Sequence, residues 1–120
     1  ALPIYHYALR SAESFLVKRD RGRVNHVDRD QGLAYWFRMN NNAETDTSIQ
    51  RMLPALRAEY DALLADPDIA AAHAHSVARH RQRIDELKQT EQYSAFFADL
   101  TGERLRRLSR LHLHFGSSVF

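Results

Sequence analysis

The chain has 120 residues, of which 44% are apolar and 27% charged, and its formal net charge is +2. This composition is typical of one ordinary globular domain. It contains no cysteine, which excludes disulfide bonds, a thiolate nucleophile and Cys-ligated metal centres. No apolar run approaches the roughly 18 residues of a membrane span, and no segment resembles a signal peptide. We therefore expect a single cytoplasmic domain over residues 1–120 that makes no membrane contact.

The first predicted element is a helix over residues 3–18. Its apolar residues share one arc at about 100° per residue, and Pro3 suits a first helical position. A short strand over residues 4–8 is the alternative, because Tyr5 and Tyr7 favour β-structure. If the helix forms, the N-terminus joins the bundle as a helix. If the strand forms, the N-terminus is an irregular segment.

A densely charged segment, residues 18–32, is expected to be a surface loop with room for a brief hairpin strand at 24–27. The aromatic run over residues 33–37 follows, and it must be buried or bound, because an exposed patch of this kind would be an association site. A polar linker over residues 40–46 ends this part of the chain.

The clearest helical periodicity begins at Thr47. Thr47 and Gln50 have the spacing of a capping box. Pro54 either bends the helix in its first turns or starts the main helix after a short turn. The large apolar residues share one narrow arc that runs through Ala65 and contains Ile49, Met52, Leu53, Leu56, Tyr60, Leu63 and Leu64.

Asp66 and Pro67 predict a stop and a restart, with Asp66 as the N-cap of a second long helix. The apolar arc of that helix breaks near residues 88–91, so we expect a bend or a new helix there, capped by Thr90. A last helix opens at residues 101–102 and ends at Gly116.

Four or five amphipathic helices joined by short loops predict an all-α fold. The expected architecture is a small antiparallel bundle in which the apolar stripes are buried against one another, with a short N-terminal hairpin or irregular segment as a variant.

The seven histidines raise the question of a metal site. His73 and His75 diverge by about 200° on a helix, and His73 and His80 are separated by about 10.5 Å of rise, so neither pair chelates one ion within a straight helix. A site between helices that includes His112 stays open. We predict instead that His73, His80 and His112 are core or interface residues, with no metal or cofactor. The fold should then weaken as the pH falls through about 6.

Arginine accounts for fifteen of the seventeen basic side chains. On the last helix, a basic stripe opposite the leucines suggests a nucleic-acid-binding face as an alternative function. The ordinary explanation is a solvated outer helix face. The residues of this stripe are Arg106, Arg107, Arg110 and His114.

A third possibility is a metal-binding or nuclease-like helical protein. The pairs Arg21/His26 and Arg107/His112 have the R-x4-H spacing of some helical nucleases. Such spacings arise easily by chance in a chain with this composition, and no motif of another enzyme class is present.

The remaining indication of function comes from the aromatic residues. Adjacent residues such as Phe96 and Phe97 point about 100° apart on a helix, so both are buried only if that helix is covered on two sides. A partner, a second copy or the N-terminal segment of the same chain can supply this cover. We predict a protein–protein interaction module without catalysis, acting as an adaptor, a regulator or a self-associating homodimer subunit. The expected contact residues are Tyr35, Trp36, Phe37, Phe96 and Phe97.

Overall fold

A computed structural model of the chain describes residues 7–22, 31–40 and 45–108, and the statements below refer to these ranges. The regular secondary structure of these ranges is entirely helical: α1 (Ala12–Arg21), α2 (Leu33–Met39), a 3-10 turn (Ser48–Met52), α3 (Leu53–Leu64), α4 (Pro67–Lys88) and α5 (Glu91–Thr101). Residues 103–108 are also helical. The predicted all-α bundle is confirmed. Among the described helices, none has both the length and the apolarity needed to cross a bilayer.

The first helix begins later and ends later than the sequence predicted. It starts at Ala12 because the Ser11 hydroxyl accepts a hydrogen bond from the Ser14 amide at 3.1 Å, which satisfies an otherwise unpaired N–H of the first turn. Residues 7–10 are not helical, so the helix predicted over 3–18 is wrong for that part, and residues 1–6 lie outside the described ranges. The helix continues to Arg21, through the first residues of the expected loop.

Gly22 ends α1. Its φ of 72° is left-handed, a conformation that glycine adopts without the steric cost of a Cβ. Its N–H donates to the Arg19 carbonyl. The rest of the predicted loop, including the possible strand at 24–27, falls outside the described residues.

The hydrophobic core is built around Phe15 of α1. Its ring centroid lies 5.0 Å from Trp36, 6.0 Å from Tyr35 and 6.1 Å from Phe96. Aromatic pairs at such distances add to the stabilisation from burial alone. The core therefore lies between α1, α2, α5 and the C-terminal end of α4, and its remaining buried members are Leu16, Phe37, Leu87, Leu100 and Leu105.

The start of the α3 region departs from the predicted capping box. Thr47 makes no side-chain cap hydrogen bond, and the Ser48 amide donates instead to Asp46 Oδ1 at 2.8 Å. Pro54 lies in the first turn of α3 after the 3-10 turn, where its missing N–H breaks no helical hydrogen bond. The second of the two alternatives for Pro54 is thus confirmed.

The other two predicted caps are confirmed. Asp66 Oδ1 accepts from the amides of Asp68 at 2.9 Å and Ile69 at 3.3 Å, and α4 begins at the adjacent Pro67. Thr90 Oγ1 accepts from the Tyr93 amide at 3.4 Å, which separates α4 from α5 at the predicted position.

Helix α4 is long enough to serve two parts of the molecule. Its C-terminal half packs on α1 and α5, where Arg83 Nη2 lies 2.8 Å from Asp20 Oδ2 and Nη1 lies 3.1 Å from Glu86 Oε2. Hydrogen bonding to Asp20 raises the pKa of Arg83 further above its usual range. The N-terminal half of α4 lies beyond this core and contacts α3, so α3 and α4 form an antiparallel hairpin.

Candidate functional site

The structure places the aromatic residues expected at an interface inside the chain's own core. The exposed fractions are 9% for Tyr35, 8% for Trp36, 4% for Phe37 and 7% for Phe96. Phe97 is partly buried, and the Lys88 ammonium lies 4.0 Å from its ring centroid. The cover comes from α1 and from Lys88, so these rings do not present an open contact surface in this fold.

The exposed apolar surface lies on α3 instead. No side chain of α3 is buried. Large apolar residues of α3, together with Met52 at the end of the preceding 3-10 turn, nevertheless lie on one side, within an arc of about 120° at 100° per residue. Leu56 is 60% exposed and Met52 is 55% exposed. We call this set the apolar row; its members are Met52, Leu53, Leu56, Tyr60, Leu63 and the partly buried Leu64.

The opposing half of α4 explains why the apolar row stays exposed. Its side chains are mostly small, with alanine at positions 70–72, 74 and 78, so α4 offers little surface to cover leucine side chains. One defined contact is polar and aromatic: Tyr60 Oη lies 3.1 Å from His73 Nε2, with the two rings edge to face at 5.7 Å. This contact therefore joins α3 to α4 but leaves the apolar row exposed.

Within the apolar row there is no charged side chain, and charges flank it. Arg57 and Asp61, four residues apart, lie on one flank, and Glu59 lies on the other. An uncharged centre between charged edges is the usual anatomy of a protein-binding surface. The row can exclude water from another apolar helix.

His73 and His80 do not lie in the core, because both are exposed. The other half of the prediction, that they are interface residues, stays a prediction, and the burial on which the expected acid-induced weakening rested is absent for these two side chains. The exposed alanine-rich half of α4 keeps His73 in solvent, and His80 Nε2 lies 3.1 Å from Ser14 Oγ. The described residues contain no group of three or more potential metal ligands. His112 lies outside the described ranges.

The basic stripe proposed for nucleic acid is only partly described. Arg106 and Arg107 are exposed, and Arg107 Nε lies 3.3 Å from Glu103 Oε1, which partly neutralises this face. Arg110 and His114 lie outside the described residues. His26 also lies outside the described residues. Neither predicted R-x4-H pair can therefore be examined, because one pair contains His26 and the other contains His112.

Comparisons of this chain with protein-family models, curated proteins and solved structures found no match.

The sequence analysis identified the apolar row but assigned it to the core. It was the most regular stripe in the chain, and a regular stripe indicates burial only if a second large apolar surface faces it. The available signal was the run of alanines in the first half of α4, which lacks the volume to pack against six large side chains. Matching each apolar stripe with a large apolar surface on another helix would have left this row without a partner.

Proposed function

We propose that this protein is an interaction module that self-associates through the apolar row. The observation that carries the proposal is the exposure of five large apolar side chains, each between 40% and 60%. Four belong to α3 and one, Met52, ends the 3-10 turn before it, and neither element buries a residue. Monomeric proteins rarely expose contiguous apolar surface of this kind without an interaction to cover it.

The spacing of the row favours a second copy as the partner. Its six positions are symmetric about residue 58: 52 mirrors 64, 53 mirrors 63, and 56 mirrors 60. In an antiparallel pairing of two α3 helices, each large apolar residue then lies opposite another large apolar residue. A two-fold interface requires this kind of self-complementary surface.

The marginal stability of α3 also favours a second copy as the partner. A helix of 12 residues is marginal in water on its own, because nucleation is costly and most helical stability in proteins comes from tertiary packing. Within the described chain, α3 obtains little of that packing. A second copy would supply it by covering the apolar row.

The dimer should be weak. Covering the exposed half of a leucine-sized side chain contributes about 1 kcal/mol, and two copies together cover about ten of them. Association costs about 4–15 kcal/mol in lost freedom of motion. With a cost of about 4–6 kcal/mol, at the low end of that range, the net free energy is about −4 to −6 kcal/mol, which corresponds to a Kd between tens of micromolar and about 1 mM. Dimerisation then depends strongly on protein concentration.

Sedimentation equilibrium from about 10 μM to about 1 mM tests the proposal. We expect the average mass to rise from that of the monomer towards that of the dimer. Leu56→Asp should weaken dimerisation at least about tenfold, because it buries an unpaired carboxylate opposite Tyr60 of the second copy.

Ala58→Asp is the matched control. It adds the same charge to the same helix, at an exposed position about 180° from the middle of the apolar row, and it should leave dimerisation nearly unchanged. Circular dichroism of both variants confirms that they fold. A wild-type chain that remains monomeric throughout, or two variants that weaken dimerisation equally, would refute the proposal.

A further inference from the structure

A cavity of about 340 Å³ lies between α1, the non-helical residues 7–10 and the middle of α4. Its volume is within the range of small-molecule sites. Its lining includes the apolar side chains of Leu9, Phe15 and Val17. The polar side chains in the lining are Arg10, Ser14, Lys18, Arg21 and His80.

The electrostatic character of this cavity is cationic. Three of its lining residues carry permanent positive charge, and none of its described lining residues is acidic. The nearby carboxylate of Asp20 is held by Arg83. Arg10 and Arg21 are exposed, and the structure gives neither of them an ion pair with another described residue. Their charges are therefore available to a ligand.

The three cationic residues have different roles. Lys18 donates a hydrogen bond to the Ala8 carbonyl and another to Tyr35 Oη at 3.3 Å, so it ties residues 7–10 to α1 and holds the cavity wall in place. Arg10 and Arg21 supply the guanidinium groups, which bind phosphate oxygens through paired N–H donors.

Helix geometry brings the remaining polar groups to the same face. Ser14, Lys18 and Arg21 are spaced at i, i+4 and i+7 along α1 and therefore share one side. His80 of α4 meets this side through its 3.1 Å contact with Ser14 Oγ. Hydroxyl, imidazole and guanidinium groups thus line the cavity together with its apolar side chains.

We propose that this cavity binds a small organic phosphate monoester. The phosphate would be held by Arg10 and Arg21, and the organic group would lie against Leu9 and Val17. Two arginines without an ion pair to another described residue, together with apolar side chains in the same lining, favour an organic phosphate over inorganic phosphate, which can use only the charged groups.

Isothermal titration calorimetry at constant ionic strength tests this with phenyl phosphate as the probe. We expect saturable binding of phenyl phosphate, weaker binding of inorganic phosphate and no binding of phenol. The double variant Arg10→Gln/Arg21→Gln should weaken phenyl phosphate binding at least about tenfold, because charge-assisted hydrogen bonds are lost.

Arg51→Gln/Arg57→Gln is the matched control, since it also removes two positive charges, from exposed positions outside the cavity lining. It should leave the affinity for phenyl phosphate unchanged. The proposal is overturned if phenyl phosphate does not bind, if Arg51→Gln/Arg57→Gln weakens binding as much as Arg10→Gln/Arg21→Gln does, or if inorganic phosphate binds as tightly as phenyl phosphate. Arg10 and Arg21 lie outside the hydrophobic core, so circular dichroism should show Arg10→Gln/Arg21→Gln folded.

Discussion

The ring of Phe15 lies 5.0 Å from the ring of Trp36, centroid to centroid, at an interplanar angle of 48°, and this pair joins α1 to α2 at the centre of the core. Phe15 is 2% exposed. The buried ring of Phe15 should therefore stabilise the fold, whereas the exposed leucines of α3 should contribute little to its stability.

Phe15→Ala should therefore lower the free energy of unfolding by about 3–5 kcal/mol, because it removes a large buried ring and leaves a cavity. Leu56→Ala on the apolar row should change it by no more than about 0.5 kcal/mol in the monomer. Urea denaturation at low protein concentration measures both. Similar losses for the two variants would show that α3 belongs to the same core.

The hydrogen bond between Tyr60 and His73 predicts a local effect. Tyr60→Phe removes the hydroxyl but keeps the ring, so the α3 amides should exchange with solvent about twofold to tenfold faster, the range for one lost hydrogen bond. Amides of α1 should be unaffected, since they lie in the core rather than in the hairpin.

Hydrogen exchange followed by mass spectrometry resolves the two helices. Tyr7→Phe is the control, because Tyr7 is 63% exposed and its substitution also deletes a phenol hydroxyl, outside the hairpin. Faster exchange across the whole molecule, or none in α3, would contradict the assigned role of the Tyr60–His73 contact.

The phenol of Tyr93 predicts a pH dependence at the alkaline end. Burial is the largest cause that raises the pKa of Tyr93, and the carboxylate of Asp20 adds to it, against the lowering effect of Arg19 and Arg83. A folded-state pKa above the unfolded value stabilises the protein fully below the unfolded pKa of about 10. This contribution is lost as the pH rises through the folded pKa.

Urea midpoints measured on either side of about pH 10 should show this loss in the wild type and a smaller loss in Tyr93→Phe, which has no phenol to ionise. The phenolate absorbance of the wild type minus that of the variant reports the ionisation directly. Equal alkaline losses in the two proteins would rule out Tyr93 as the source.

Local signals in the sequence predicted much of the helical framework. The caps at Asp66 and Thr90 depend on neighbouring residues only, so their positions could be read directly. The start of α1 could not, because the apolar arc over residues 3–18 fits a longer helix, and Ser11 becomes the N-cap once residues 7–10 pack as a non-helical wall.

The candidate sites were harder to predict because they depend on which surfaces meet. Trp36 and Phe96 looked available for a partner, and only the position of Phe15 reveals that they are already covered. Leu56 looked buried, and only the placement of the alanine-rich half of α4 beside α3 leaves it in solvent. The amphipathic period gives the direction of a side chain relative to its helix, not the size of what lies opposite.

A helix that contributes nothing to the core is also free to vary. Leucine in α3 can be exchanged for other residues with little penalty to the fold, whereas the aromatic cluster around Phe15 tolerates few changes. Under the proposed function, recognition and folding depend on separate sets of positions, so new binding preferences can evolve on the hairpin while the core stays constant.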